Sequence, residues 1–122
     1  MAAKSSVKTP VLLPRFRVVC GDNIALGPGK MELLGLLIET GSLNEAAKRL
    51  EMSYMRAWTL VQTMNQCFHE PVVIAERGGK TGGGMKVTEA GHRALALYQE
   101  IEATARKATA APWRSLQKLL RP

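Results

Sequence analysis

Residues 42–68 read SLNEAAKRLEMSYMRAWTLVQTMNQCF, and this stretch decides the fold. Ser42 is a natural helix cap, and Glu45 follows at capping-box spacing. Ala46, Ala47 and Leu50 then share one face of a short helix, Leu43 to Leu50. A tight break falls at Glu51-Met52-Ser53. From Ser53 to about Phe68 a second, longer helical pattern places Ala57, Val61, Met64 and Phe68 on one buried face. Two helices joined this tightly form a helix-turn-helix, whose second helix suits the DNA major groove.

Upstream, KMELLGLLIET (30–40) predicts a helix with Met31, Leu34, Leu37 and Ile38 as an apolar stripe, and Leu33 and Leu36 beside it. Gly41 fits a left-handed cap at its end. So wide an apolar surface leaves two readings: a central core helix, or one whose second face meets another subunit. Further upstream, PRFRVVC (14–20) alternates charged and apolar residues as a half-buried strand does, with Phe16 and Val18 inward. GDNIALGPGK (21–30) reads as a turn-rich connection, and Lys30 could touch a phosphate backbone. Residues 1–13 read as a flexible basic lead-in.

Downstream, residues 71–77 and 85–87 predict two strands around the glycine-rich GGKTGGG (78–84), a β-wing with a basic tip. Thr88 caps a long helix, about Glu89 to Arg106. Gly91 stands where a capping box would carry an acidic residue. Ala94, Leu97, Tyr98, Ile101 and Ala105 form the seam of that helix. The tail, 107–122, is basic and broken at Pro112. Trp113, Leu116, Leu119 and Leu120 allow one short amphipathic turn there, or a disordered end. The predicted fold is mainly α with a small β-wing: a winged helix-turn-helix over 14–106, with a long C-terminal helix.

Composition bounds the function. The 122-residue chain has a net charge of +7 and 46% hydrophobic residues. Its basic excess lies at the ends: five basic and one acidic residue in 1–30, six and two in 91–122, but six against seven in 31–90. A polyanionic partner fits that balance. No apolar run nears the roughly 18–20 residues that span a membrane, and no secretory signal is visible, so a cytoplasmic location is expected. The two cysteines, Cys20 and Cys67, are expected to be reduced thiols. His69 and His92 stand apart, and no Cys/His spacing suggests a metal site or catalysis. Gly79-Lys80-Thr81 resembles the end of a phosphate-binding P-loop, but position 74 is Ile where that motif needs Gly, and no helix follows. An enzyme is not expected.

The candidate DNA-binding residues follow from the layout. On the second helix, Arg56 can read guanine bidentately and Gln62 adenine, with Tyr54 and Thr59 beside them. Ser53 can hold a phosphate. On the wing, Arg77, Lys80, Thr81 and Lys86 supply phosphate contacts. Trp58 either joins the reading face or packs beneath the wing.

GPGKMELLGLLIETGSLNEAAKRLEMSYMRAW, MNQ, GGKTGGG and VTEAG together resemble the N-terminal domain of the ModE-type molybdate-responsive regulators, and more distantly LysR-type regulators. The likeness covers about residues 15–105. Ser53, Tyr54, Ala57 and Trp58 together with the glycine-rich wing carry most of it. It implies a dimeric regulator binding double-stranded DNA at an inverted repeat. Family members also carry C-terminal β-barrel domains that bind molybdate. A sequence ending at Pro122 leaves no room for them, so no cofactor is expected. Two rivals remain: a protein-interaction module of the same fold without DNA binding, and a direct molybdate-binding regulator.

Overall fold

The computed structural model describes residues 9–76 and 84–121. Those residues are mainly helical, with two small antiparallel sheets. The elements run β1 (Val18–Cys20), β2 (Asn23–Leu26), α1 (Pro28–Thr40), α2 (Leu43–Arg49), α3 (Tyr54–Cys67), β3 (Val73–Glu76), β4 (Gly84–Val87), α4 (Glu89–Ala108) and α5 (Ala110–Gln117). The described residues divide into two compact units, one within 15–99 and the other made of 9–14 with 100–121. The basic lead-in lies outside the described residues up to position 8.

In the larger unit, α1 starts at Pro28, whose missing N–H costs nothing in a first turn. It ends at Gly41, which is left-handed (φ 66°) and donates its N–H to the Leu37 carbonyl at 2.8 Å. Met31, Leu33, Leu34 and Leu37 are buried, so the core claims the wide apolar surface. Ile38 departs from the predicted stripe: it is exposed, and Leu33 takes its place inside.

Ser42 caps α2 by accepting the Glu45 N–H at 3.0 Å. The return arm of the predicted capping box is absent, because the Ser42 N–H goes to Thr40 Oγ1 instead. Glu45 pairs with Arg49, which also reaches Glu39 at 3.0 Å. These exposed pairs contribute little. The turn after α2 is a Schellman motif: Met52 N–H bonds the Ala47 carbonyl and Glu51 N–H the Lys48 carbonyl, both at 3.0 Å. Glu51 therefore holds a positive φ of 56°, a position that favours glycine. Glu51→Gly is expected to stabilise the fold by up to about 1 kcal/mol, read as a higher denaturant midpoint. An unchanged or lower midpoint would mean that the left-handed turn carries no strain.

Two strand predictions need correction. The half-buried strand 14–20 is only Val18–Cys20, with Phe16 and Val18 exposed. The turn-rich 21–30 contains a strand, β2, which pairs with β1 through a two-residue Gly21-Asp22 turn, Gly21 at φ 61°. Burial falls to Ala25 and Leu26 of β2, which lies against α3. Residue 16 is anchored through its backbone: the Tyr98 hydroxyl donates to the Phe16 carbonyl at 2.8 Å.

β3 and β4 pair as expected, Val73 opposite Val87 and Glu76 opposite Gly84. The Met85 N–H reaches beyond this hairpin to the Gly41 carbonyl at 3.1 Å, fastening β4 to the end of α1. Thr88 caps α4, accepting the Gly91 N–H at 3.1 Å. Gly91 replaces the acidic residue of a capping box for a steric reason. A Cβ there would collide with the Val72 carbonyl and stand 2.6 Å from Val87 Cγ1.

The core gathers Leu33, Leu34, Leu37, Leu43, Val61, Met64, Val72 and Val73, and no polar or charged residue is buried among those described. Each such aliphatic side chain contributes roughly 1.5–3 kcal/mol. The predicted seam of α4 is split. Ala94 and Tyr98 are buried, while Leu97 and Ile101 are 46% and 48% exposed.

In the smaller unit the tail is helical. Pro112 lies in the first turn of α5, and the break falls earlier, at Thr109. The reason is that Pro112 lacks the N–H that Ala108 would need for an unbroken helix. At the break the Thr109 N–H and hydroxyl both donate to the Ala105 carbonyl, at 2.9 and 2.7 Å.

Candidate nucleic-acid interface

α3 is fixed at both ends. At its start, Ser53 Oγ accepts the Arg56 N–H at 3.1 Å, which sets the entry angle of the helix. The other first-turn amides belong to Tyr54 and Met55, as at any helix start that offers unpaired N–H groups. No acidic residue lies in that turn, so nothing cancels the positive end of the helix dipole. Ala57, Val61 and Met64 face the core as predicted, with Phe68 packed at its margin.

The far end is held by Asn65, which the sequence reading did not single out. Its amide donates to the Val73 carbonyl at 2.9 Å. Its carbonyl accepts from Val72 N–H at 2.8 Å and Val73 N–H at 3.3 Å. One side chain thus takes the place of a neighbouring strand and joins α3 to β3.

The predicted contact residues on α3 come together. Ser53, Tyr54, Arg56 and Thr59 are exposed on its first two turns, and Gln62 is half-buried one turn on. Tyr54, Met55 and Trp58 are 47%, 62% and 40% exposed, so the indole is not sequestered beneath a neighbour. Thr59 is less free than its type suggests, since its hydroxyl donates to the Met55 carbonyl at 2.9 Å. Its hydroxyl oxygen keeps spare lone pairs. Thr63 repeats the arrangement onto the Thr59 carbonyl at 3.0 Å.

Lys86 stands apart on β4, exposed and opposite Ile74. Arg77, Lys80 and Thr81 lie outside the described residues. Lys30 gains a place in the site: it is half-buried in the first turn of α1, close enough to Arg56 for their charges to interact. Desolvation holds its ammonium below the ordinary lysine range, with Cys67 opposing and Arg56 reinforcing the shift. Lys30, which lies outside the near-neutral stretch 31–90, thus adds to the positive charge of Arg56. Among the described residues, no group of three or more His, Cys, Asp or Glu is placed to hold a metal ion. Nor is any helix among them long and apolar enough to cross a membrane.

No family model matches the chain. Individual proteins do. The chain is 38% identical over 90 residues to the molybdenum transport protein ModE of Azotobacter vinelandii, across 74% of this chain and 33% of that protein. This chain is a sequence relative of ModE. It is also 44% identical over 78 residues to the molybdenum-pterin-binding protein MopB of Rhodobacter capsulatus, across 64% of the chain and 29% of MopB. With the DNA-binding transcriptional dual regulator ModE of Escherichia coli it shares 35% identity over 81 residues, 66% of the chain and 31% of that regulator. The chain therefore spans about a third of the length of the curated ModE and MopB relatives it matches.

Proposed function

We propose that this chain is a sequence-specific DNA-binding transcriptional regulator of the ModE type, a winged helix-turn-helix protein that binds an inverted repeat as a homodimer. The observation that carries the reading is the first two turns of α3. They bury Ala57 and Val61 on one side, are capped by Ser53, and display Tyr54, Arg56 and Thr59 on the exposed side. The relatives named as transcriptional regulators support it.

In this reading residues 14–106 form the DNA-binding head, with the β3–β4 hairpin as its wing. α3 enters the major groove. Arg56 pairs with a guanine and Gln62 with an adenine. Thr59 turns its methyl or lone pairs to a base edge, and Tyr54 stacks at the groove wall. Ser53 caps with its oxygen and donates its hydrogen to a phosphate, and Lys86 holds another. Arg77, Lys80 and Thr81 extend those phosphate contacts. Leu97 and Ile101, one turn apart on α4, are the exposed apolar pair through which two copies join. Light scattering at micromolar concentration is expected to give the dimer mass, and a monomer mass would contradict this.

The test is a binding titration on duplex DNA. Arg56→Ala is expected to cost roughly 1–3 kcal/mol and to relax preference at one base position. Lys86→Ala is expected to weaken all sequences alike and to lower the salt slope by about 1. Unchanged affinity and specificity for Arg56→Ala would refute the placement of α3. The exposed apolar trio Tyr54, Met55 and Trp58 favours a second reading, docking of a protein partner, which predicts no salt-dependent DNA binding at all. A direct molybdate-binding regulator would instead show heat of molybdate binding by calorimetry.

A further inference from the structure

Met55 is 62% exposed, more than Tyr54 or Trp58, the other large apolar side chains that α3 leaves in the open. Helical period puts it on the side of α3 away from the buried Ala57, Val61 and Met64, with the exposed Thr59 one turn on. The centre of that exposed side has no side-chain hydrogen to donate. Met55 ends in a thioether, and the Thr59 hydroxyl hydrogen is committed to the Met55 carbonyl at 2.9 Å. Arg56 stands next to Met55, and no residue from Tyr54 to Cys67 is acidic. This charge suits a polyanion better than the mixed surface of a protein partner. The major-groove edge of DNA offers an apolar group set among negative charges, the thymine methyl.

We propose that Met55 is a specificity-determining residue that selects thymine at one base pair of each half-site, by packing its thioether arm against the methyl group. This rests on the reading of α3 as the helix in the major groove. It adds a base chemistry that Arg56 and Gln62 do not supply, since both recognise bases through hydrogen bonds. Cytosine has no methyl group to meet the arm. A purine would turn its N7 acceptor toward a side chain with nothing to donate. The arm is unbranched and polarisable, so it can follow the methyl group closely.

The test uses the full chain and a duplex that wild type retains from a random pool. The duplex is resynthesised with deoxyuridine at each thymine in turn, so that only a methyl group is lost. At one thymine of each half-site, wild type is expected to bind the uracil duplex about fourfold more weakly, the worth of one buried methyl group. Met55→Ala is expected to bind both duplexes alike at that position, and Met55→Leu to keep the preference. Neither substitution is expected to change the salt slope, since no phosphate contact is lost. Met55 lies outside the core, so both variants are expected to fold. Salt-dependent binding by wild type with no loss at any uracil would overturn the role of Met55 and leave α3 on the DNA. So would a preference that Met55→Ala retains at every thymine where wild type shows it. A wild-type chain that retains no duplex at low salt would remove the DNA reading itself, and this inference with it.

Discussion

Asn65→Ala is expected to lower the unfolding free energy by about 2–4 kcal/mol, although it removes no core side chain. The Asn65 amide makes three bonds to the backbone of Val72 and Val73, at 2.8–3.3 Å. Alanine leaves two N–H groups and a carbonyl unpaired beside the buried Val72 and Val73, where water can only partly replace the amide. Asn65→Asp gives a graded comparison. It keeps the acceptor for both N–H groups but loses the donor and sets a carboxylate against the Val73 carbonyl. It is expected to fall between wild type and alanine. Denaturant unfolding with an unchanged slope reads both changes. A midpoint for Asn65→Ala equal to wild type would show that α3 and β3 hold together without this clamp.

Gly91→Ala is expected to cost about 2–3 kcal/mol, or roughly 10 °C of melting temperature, against the usual gain from alanine in a helix. Alanine is better than glycine in a helix interior by up to about 1 kcal/mol. Here the added methyl meets a backbone carbonyl, that of Val72, which cannot rotate away. That carbonyl also accepts the Thr88 N–H at 3.0 Å, and Thr88 in turn caps Gly91. Moving it loosens the cap, the strand and the helix together. Gly35→Ala is the control. Gly35 lies inside α1, and a Cβ there meets nothing within 4 Å, so this variant is expected to gain up to about 1 kcal/mol. Equal gains in the two variants would mean that α4 does not pack closely on Val72.

Legibility followed how local each determinant was. The α2–α3 pair was readable because Ser42 and Ser53 are cap residues whose bonds close within three residues. The buried positions of α3 were readable because helical period alone separates Ala57, Val61 and Met64 from their neighbours. β2 was missed although Gly21-Asp22 is a hairpin dipeptide, since Pro28 and two nearby glycines suggested an extended turn. The α4 seam was readable as an apolar stripe, but period cannot say which edge of it the core will claim. Ala94 and Tyr98 of that stripe are buried beside Gly91, while Leu97 and Ile101 are exposed. Asn65 was illegible in principle: its role exists only once β3 lies beside α3. In the candidate site, the exposed residues of α3 were foreseen, and the Thr59 bond to Met55 and the approach of Lys30 to Arg56 were not. Both depend on where side chains settle after folding.

In the proposed function α3 reads DNA. Its most direct test is selection from a pool of random duplex DNA with the purified full chain, followed by sequencing of the retained fraction. The expected result is an enriched inverted repeat whose half-sites lie about one helical turn apart, and relaxed preference at one base position per half-site for Arg56→Ala. Recovery of no enriched sequence at low salt, by a chain that is folded and dimeric, would contradict it.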